Sequence, residues 1–163
     1  MNSKIGEKNY SVYGINNSYE ILRLQKDKII SIFLQKDSRA MKDDYIKTNI
    51  SKLKEKCVVL DKYEFSRKFT NIRSQGIVIK FKFIVSRHLP YFKDENICLL
   101  IPDSVEDPQN LGQIIRTSEC AGINGLLLPQ NRSVGITNSV LQVSQGAFLN
   151  LPIYAIGNIT QTL

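Results

Sequence analysis

The feature that most restricts the fold lies in the second half of the chain. There two apolar runs of strand length, Ile97-Cys98-Leu99-Leu100-Ile101 and Gly125-Leu126-Leu127-Leu128-Pro129, flank one helix-forming stretch. Strands joined through a helix are parallel neighbours, because an antiparallel pair needs only a tight turn. An unbroken apolar run is what a strand buried on both faces of a parallel sheet requires. Pro102 to Gln109 reads as a polar loop, helix formers run from Asn110 to Ala121, and Gly122 ends them. A second helix is expected over Thr137–Gln145 and a third strand over Pro152–Ile156, with Thr160 capping one more helix. A parallel α/β domain therefore begins near residue 97.

The preceding residues have a different texture. Asn17-Ser18 precede the helix formers Tyr19–Leu24, and Ile29–Leu34 is a β-branched run of strand length. From Asp43 to Lys56, Tyr45, Ile46, Ile50 and Leu53 recur at helical spacing with lysines between them, predicting one amphipathic helix with a basic outer face. Val58–Leu60 is a short strand candidate, Asp61 can cap a helix reaching Phe69, and Gly76–Phe83 closes this half as a strand. The texture changes over residues 85–96. The expected organisation is a small α/β domain over residues 1–84, a linker over 85–96 and a partial parallel α/β domain over 97–163.

Charge divides along the same line. Residues 1–100 hold 20 Lys+Arg against 11 Asp+Glu, a balance of +9, whereas residues 101–163 hold 2 against 4, a balance of −2. A summed positive field attracts phosphate polyanions, so the first part is the half suited to nucleic acid or another acidic surface. The longest apolar runs fall far short of the roughly 20 residues of a membrane helix. Met1-Asn2-Ser3-Lys4-Ile5-Gly6-Glu7 offers neither a signal-peptide core nor a myristoylation glycine, which makes the cytoplasm the expected location, with no membrane partner. Cys57, Cys98 and Cys120 are odd in number and widely spaced, so buried reduced thiols are expected rather than disulfides. His88 is the only histidine and sits in the linker, which leaves no basis for a metal site.

Chemistry concentrates in Asp103-Ser104-Val105-Glu106-Asp107-Pro108-Gln109-Asn110-Leu111-Gly112-Gln113-Ile114-Ile115-Arg116-Thr117. This stretch leaves the carboxyl end of a parallel strand, where α/β folds place ligand sites. Asn110 can cap the following helix, and Gly112 lets a backbone or a ligand approach closely. Leu111, Ile114, Ile115 and Ser118 share the face that docks on the sheet. Arg116 projects roughly 140° around from Leu111 and is free to face a cleft.

The run D-S-V-E-D-P-Q-N-L-G-Q-I-I-R-T-S-E-C-A-G, residues 103–122, resembles the first signature motif of the SpoU/TrmH family of RNA ribose 2′-O-methyltransferases. Tyr13-Gly14-Ile15 with Glu20-Ile21-Leu22 resembles the opening of that family's N-terminal RNA-binding domain. Ser74-Gln75-Gly76-Ile77-Val78 is similar to its His-Gln-Gly-Ile-Val segment, with Ser74 in place of histidine, and Val143–Ala147 and Leu151–Ile153 match the region before its cofactor site. The two-domain layout is most similar to the bacterial enzymes that methylate a guanosine of 23S ribosomal RNA. The resemblance implies a ribosomal-protein-like substrate-binding domain followed by a SPOUT methyltransferase domain. It also implies metal-free transfer from S-adenosylmethionine to a ribose 2′-hydroxyl, a ribosomal RNA partner and homodimeric assembly. Among site residues it implies a catalytic asparagine at Asn110 and a catalytic arginine at Arg116.

Two later family motifs, Gly-x-Glu-Gly-x-Gly and Ser-Leu-Asn-Val, bind the donor and tie a trefoil knot. Neither string occurs here, so no cofactor-binding residue is assigned and the knot cannot be tied within these residues. The chain is expected to be a C-terminally truncated, inactive relative of the enzymes, with Leu99, Leu100, Leu126, Leu127 and Ile153 left uncovered. The alternative is a non-catalytic RNA-binding module that works through the basic half.

Overall fold

The computed structural model describes residues 7–92 and 96–162. Met1 to Gly6, read above for a leader, and three residues of the expected linker, 93–95, lie outside the described residues. The chain separates into two compact units, one spanning Asn9–Phe83 and the other built on Ile84–Leu163.

The first unit holds a mixed four-stranded sheet of β1 (Lys8–Tyr13), β2 (Ile29–Gln35), β3 (Cys57–Leu60) and β4 (Ile77–Phe83), in the order β1-β4-β2-β3. β2 runs parallel to β3, with Phe33 opposite Val58, and antiparallel to β4, with Phe33 opposite Val78. Helices α1 (Ile15–Leu24), α2 (Arg39–Lys42), α3 (Asp44–Ile50) and α4 (Lys62–Lys68) connect the strands. Ile21, Leu22, Ile32, Ile46, Ile79 and Phe81 are fully buried and form the core. Fully burying side chains of this kind stabilises by roughly 1.5–3 kcal/mol each.

Three expectations for this unit need correction. β1 was not foreseen, because only Tyr10 and Val12 alternate into the core among polar neighbours. α1 starts at Gly14 rather than at the capping pair Asn17-Ser18, both of which lie buried inside the helix. There the Ser18 hydroxyl donates to the Gly14 carbonyl at 2.8 Å. The single helix expected over Asp43–Lys56 is broken: α3 ends at Ile50, and a 3-10 stretch, Ser51–Lys56, follows with Leu53 at φ −128°. That break lets Leu53 stay in the core. Tyr45, counted on the apolar stripe, is 41% exposed and meets Tyr19 edge-on. The Asp61 cap is present, as a reciprocal pair with Glu64.

Ser74-Gln75-Gly76 ties this unit together. The Gln75 side-chain oxygen accepts from the Ile15 N–H at 2.8 Å, taking the place of a side-chain cap on α1. The Gln75 carbonyl accepts from the Ala40 N–H at 3.1 Å, and the Gly76 carbonyl accepts from the Gln35 N–H at 2.8 Å. Gly76 is required twice over: its φ is +86°, and a Cβ there would lie 2.1 Å from the Ser38 Cβ. Ser74 is buried and accepts from the Gly76 N–H.

The second unit holds a parallel sheet of β5 (Leu99–Leu100), β6 (Gly125–Pro129) and β7 (Ile153–Ile156), in that order, with α5 (Pro108–Cys120), α6 (Asn138–Ser144) and α7 (Ile159–Thr162). β6 is central, and all five of its residues are buried. The expected long first strand is reduced to two half-exposed residues at the sheet edge. Leu126, Leu127 and Ile153, expected to be uncovered, are buried. Part of the stretch expected as a linker packs on β7: the Ser86 carbonyl accepts from the Ala155 N–H at 2.7 Å, and Phe92 meets Tyr154 edge-on. Asn158, not Thr160, caps α7, accepting from the Thr160 N–H. Of the three unpaired cysteines, expected to be buried, Cys98 and Cys120 are exposed and Cys57 is half-buried. Among the described residues no helix is long and apolar enough to cross a membrane.

Candidate functional site

The site is organised by α5. Its start follows from chemistry at three consecutive positions. Asp107 caps the helix by accepting from the Gln109 N–H at 2.9 Å, and Pro108 fills the first helical position, where its missing N–H costs nothing. Asn110, expected as the cap, is instead the third helical residue. Its side chain is thereby released for other contacts.

Leu111, Ile115 and Ser118 are buried and fix the packing face. Gly112 is buried with them. A Cβ at Gly112 would lie 2.6 Å from the Val143 Cβ and 2.9 Å from the Val140 carbonyl oxygen. The close approach this glycine permits is therefore that of α6, and no ligand is needed to explain it.

An open cleft of about 600 Å³ lies beside the next face of α5. Asn110, Gln113, Ile114 and Thr117 line it from the helix, at positions i, i+3, i+4 and i+7, and Ser104, Val105 and Glu106 line it from the loop after β5. That loop turns at Ser104, whose φ is +56°, and is strapped to the loop after β6, where the Val134 N–H donates to the Val105 carbonyl at 2.8 Å. Both loops leave the carboxyl ends of adjacent parallel strands, where α/β sheets open a crevice for ligands.

Of the two residues predicted for the site, the structure brings Asn110 to the cleft and leaves Arg116 outside its lining. At about 100° per residue, Arg116 lies roughly 120° around the helix from Asn110 and roughly 60° from Gln113. It is exposed, and no ion pair holds it among the described residues. Gln113 and Thr117 were missed by the sequence reading, although their spacing from Asn110 was a usable signal. The cleft wall on α5 is thus built of the Asn110 and Gln113 amides, the Thr117 hydroxyl and the apolar Ile114, which was expected on the sheet-facing stripe, with a guanidinium on the flank that is unpaired among the described residues. Such a set can orient a polyhydroxyl or phosphorylated ligand but offers no metal cage, and among the described residues no group of His, Cys, Asp and Glu could hold a metal ion.

Comparison with known proteins bears on the same segment. Residues 98–163 match the SpoU rRNA Methylase family. The chain is 41% identical over 71 residues to the "Putative TrmH family tRNA/rRNA methyltransferase YacO" of Bacillus subtilis (strain 168), which covers 44% of this chain and 28% of that protein. It is 46% identical over 65 residues to a tRNA/rRNA methyltransferase, slr0955, of Synechocystis, covering 40% of this chain and 17% of that one. Among solved structures, an AdoMet-bound rRNA methyltransferase from Sinorhizobium meliloti superposes with a TM-score of 0.71 at 20% identity, over 94% of this chain and 56% of that one. The SpoU methyltransferase AviRb from Streptomyces viridochromogenes, in complex with AdoMet, gives 0.71 at 13% identity with the same coverage of 94% and 56%. The chain thus spans 17–28% of the length of these curated relatives and 56% of the solved neighbours.

Proposed function

We propose, from the SpoU methylase segment that residues 98–163 form, that this chain serves methylation of RNA at a ribose 2′-hydroxyl, with a guanosine of ribosomal RNA as the acceptor. The observation that carries the reading is α5 at the carboxyl edge of the parallel sheet, with Asn110 on the cleft and, beside it, an Arg116 that is unpaired among the described residues. S-adenosylmethionine supplies the methyl group when bound. The two strings assigned to donor binding do not occur in these 163 residues, so the chain's own residues are given the acceptor side only.

Arg116 holds the ribose-phosphate and polarises the hydroxyl. A guanidinium with a pKa above about 12 stays protonated and cannot serve as the base. Asn110 orients the sugar through its amide, with Gln113 and Thr117 beside it on the cleft. Most of the acceleration then comes from holding the hydroxyl in line with the methyl and its leaving sulfur. The unit Asn9–Phe83, with 16 Lys+Arg against 8 Asp+Glu, captures the RNA.

The test joins this chain to a C-terminal segment carrying Gly-x-Glu-Gly-x-Gly and Ser-Leu-Asn-Val and follows transfer of labelled methyl to ribosomal RNA. The 163-residue chain alone is expected neither to bind S-adenosylmethionine in a calorimetric titration nor to methylate. The joined protein is expected to do both, and Arg116→Ala in it should lower turnover by about a hundredfold while leaving donor affinity within about threefold. Methylation by the 163 residues alone, or a joined enzyme indifferent to Arg116, would sink the assignment. RNA binding without transfer in the joined protein would favour the non-catalytic module.

A further inference from the structure

Two lysines of the N-terminal unit share one aromatic ring. Lys68, at the end of α4, and Lys80, on β4, both hold their ammonium groups over the Phe33 ring, at 5.0 and 5.6 Å from its centroid. The ring quadrupole attracts each cation, yet two ammonium groups sharing one ring repel each other. Neither is paired with a carboxylate among the described residues. Glu64, one turn before Lys68, is engaged with the Asp61 N–H at 3.2 Å. Register places the group on one face of the sheet: Phe33 lies opposite Val78 and Ser31 opposite Lys80, and Lys82 follows two residues on. Phe69 closes the ring's side edge-on at 5.2 Å, and Val58, opposite Phe33 on β3, is 44% exposed. The outcome is a half-buried ring, edged by Phe69 at the end of α4, with two exposed ammonium groups over it and no carboxylate paired to either among the described residues.

We propose that Phe33, Lys68 and Lys80 form a clamp for neighbouring phosphates of an RNA strand. The proposal rests on the reading that this unit binds RNA. The ring keeps the two ammonium groups no farther apart than their two centroid distances together, within reach of adjacent phosphates of one strand. It also orders both long side chains before the ligand arrives, which removes part of the entropy cost that an ordinary surface lysine meets on binding. A polyanion seated between them relieves their mutual repulsion. Lys52 and Lys54, exposed on the 3-10 stretch, have the same charge without a ring beneath them and are the natural comparison.

The experiment uses the 163-residue chain and a labelled single-stranded RNA of about 12 nucleotides, read by fluorescence anisotropy across a salt series. Lys68→Gln with Lys80→Gln should weaken binding about tenfold and flatten the slope of log K against log salt by about 1.4, since each phosphate contact to a single strand contributes about 0.7. Lys52→Gln with Lys54→Gln should cost less than about threefold. Phe33→Leu, which keeps every charge, should weaken binding about threefold with the slope nearly unchanged. Equal losses from the two lysine pairs, or Phe33→Leu at full affinity, would overturn the clamp while leaving RNA binding intact. Displacement of the RNA by polyglutamate at equal charge concentration would also overturn it, and unaltered chain that ignores RNA altogether would remove the underlying reading as well.

Discussion

Gly112→Ala distinguishes a glycine kept for helix packing from one kept for ligand access. On an open helix face the change is favourable by about 1 kcal/mol, because alanine lowers the entropy cost of the helical state. Here the new Cβ would meet the Val143 Cβ at 2.6 Å and Cγ1 at 2.7 Å, and the Val140 carbonyl oxygen at 2.9 Å. Forcing a methyl into such a contact costs about 1–3 kcal/mol. The net expectation is a loss of up to about 2 kcal/mol, with α5 displaced from α6. Thermal unfolding should show a midpoint lower by up to about 8 °C, and hydrogen exchange should accelerate along α5. Val143→Ala added to Gly112→Ala should return only part of the loss, because it removes the Cγ1 contact but leaves the Cβ at position 143 and the Val140 carbonyl, neither of which can be trimmed. A more stable Gly112→Ala protein would refute the packing role and return the glycine to the cleft.

Two further tests address the N-terminal unit. Asp43 is desolvated, which raises its pKa, but donation from the Tyr19 hydroxyl and from the Ile46 and Tyr45 N–H groups, with the charge of Arg39, outweighs this and holds it below the ordinary carboxylate value. A folded pKa below the unfolded one gives stability that is complete above about pH 4 and lost as pH falls through the folded value. Tyr19 is raised above 10.0, first by its hydrogen bond to Asp43, so its contribution is complete below the unfolded value and lost as pH rises through the folded one. Tyr19→Phe should therefore shift acid unfolding toward higher pH and abolish the alkaline loss in a pH-resolved melt; an unchanged profile would remove the pair from the account. Gln75→Ala deletes the acceptor for the Ile15 N–H and should cost about 0.5–2 kcal/mol, read as a lower urea midpoint, with no measurable change if water replaces it.

What was legible in the sequence depended on where each element finds its partners. The strand at Ile29–Leu34, the Asp61 cap and the helix after Thr137 carry their signals locally, and the structure places them accordingly. α1 does not. Its first N–H is satisfied by Gln75, sixty residues on, so Asn17-Ser18 offered a plausible local start that the tertiary contact overrode. The kink at Leu53 is likewise a tertiary choice, since helical spacing alone allows α3 to continue and only core packing favours ending it. β5 shrank for the opposite reason: an apolar run signals burial, yet the edge of a sheet needs only the two residues that pair with Gly125 and Leu126.

The site was legible as a motif but not as a surface. Residue types at fixed spacing located α5 and singled out Asn110 and Arg116, while the cap lay three residues earlier than expected and the cleft took a polar face together with Ile114 and Ser118 from the edge of the expected apolar stripe. Six residues apart on a helix means about 9 Å along the axis and roughly a third of a turn around it. A ligand that engages Asn110 in the cleft and Arg116 on the flank must be elongated and must carry negative charge at the end away from the cleft. A ribose with its attached phosphate meets both conditions, whereas a ribose ring alone meets neither. Under the proposed function this is why the Arg116 substitution is expected to act on turnover of an RNA acceptor: without the flank cation the sugar would be held by the Asn110 side of the cleft alone, and the phosphate contact that fixes its 2′-hydroxyl in line would be lost.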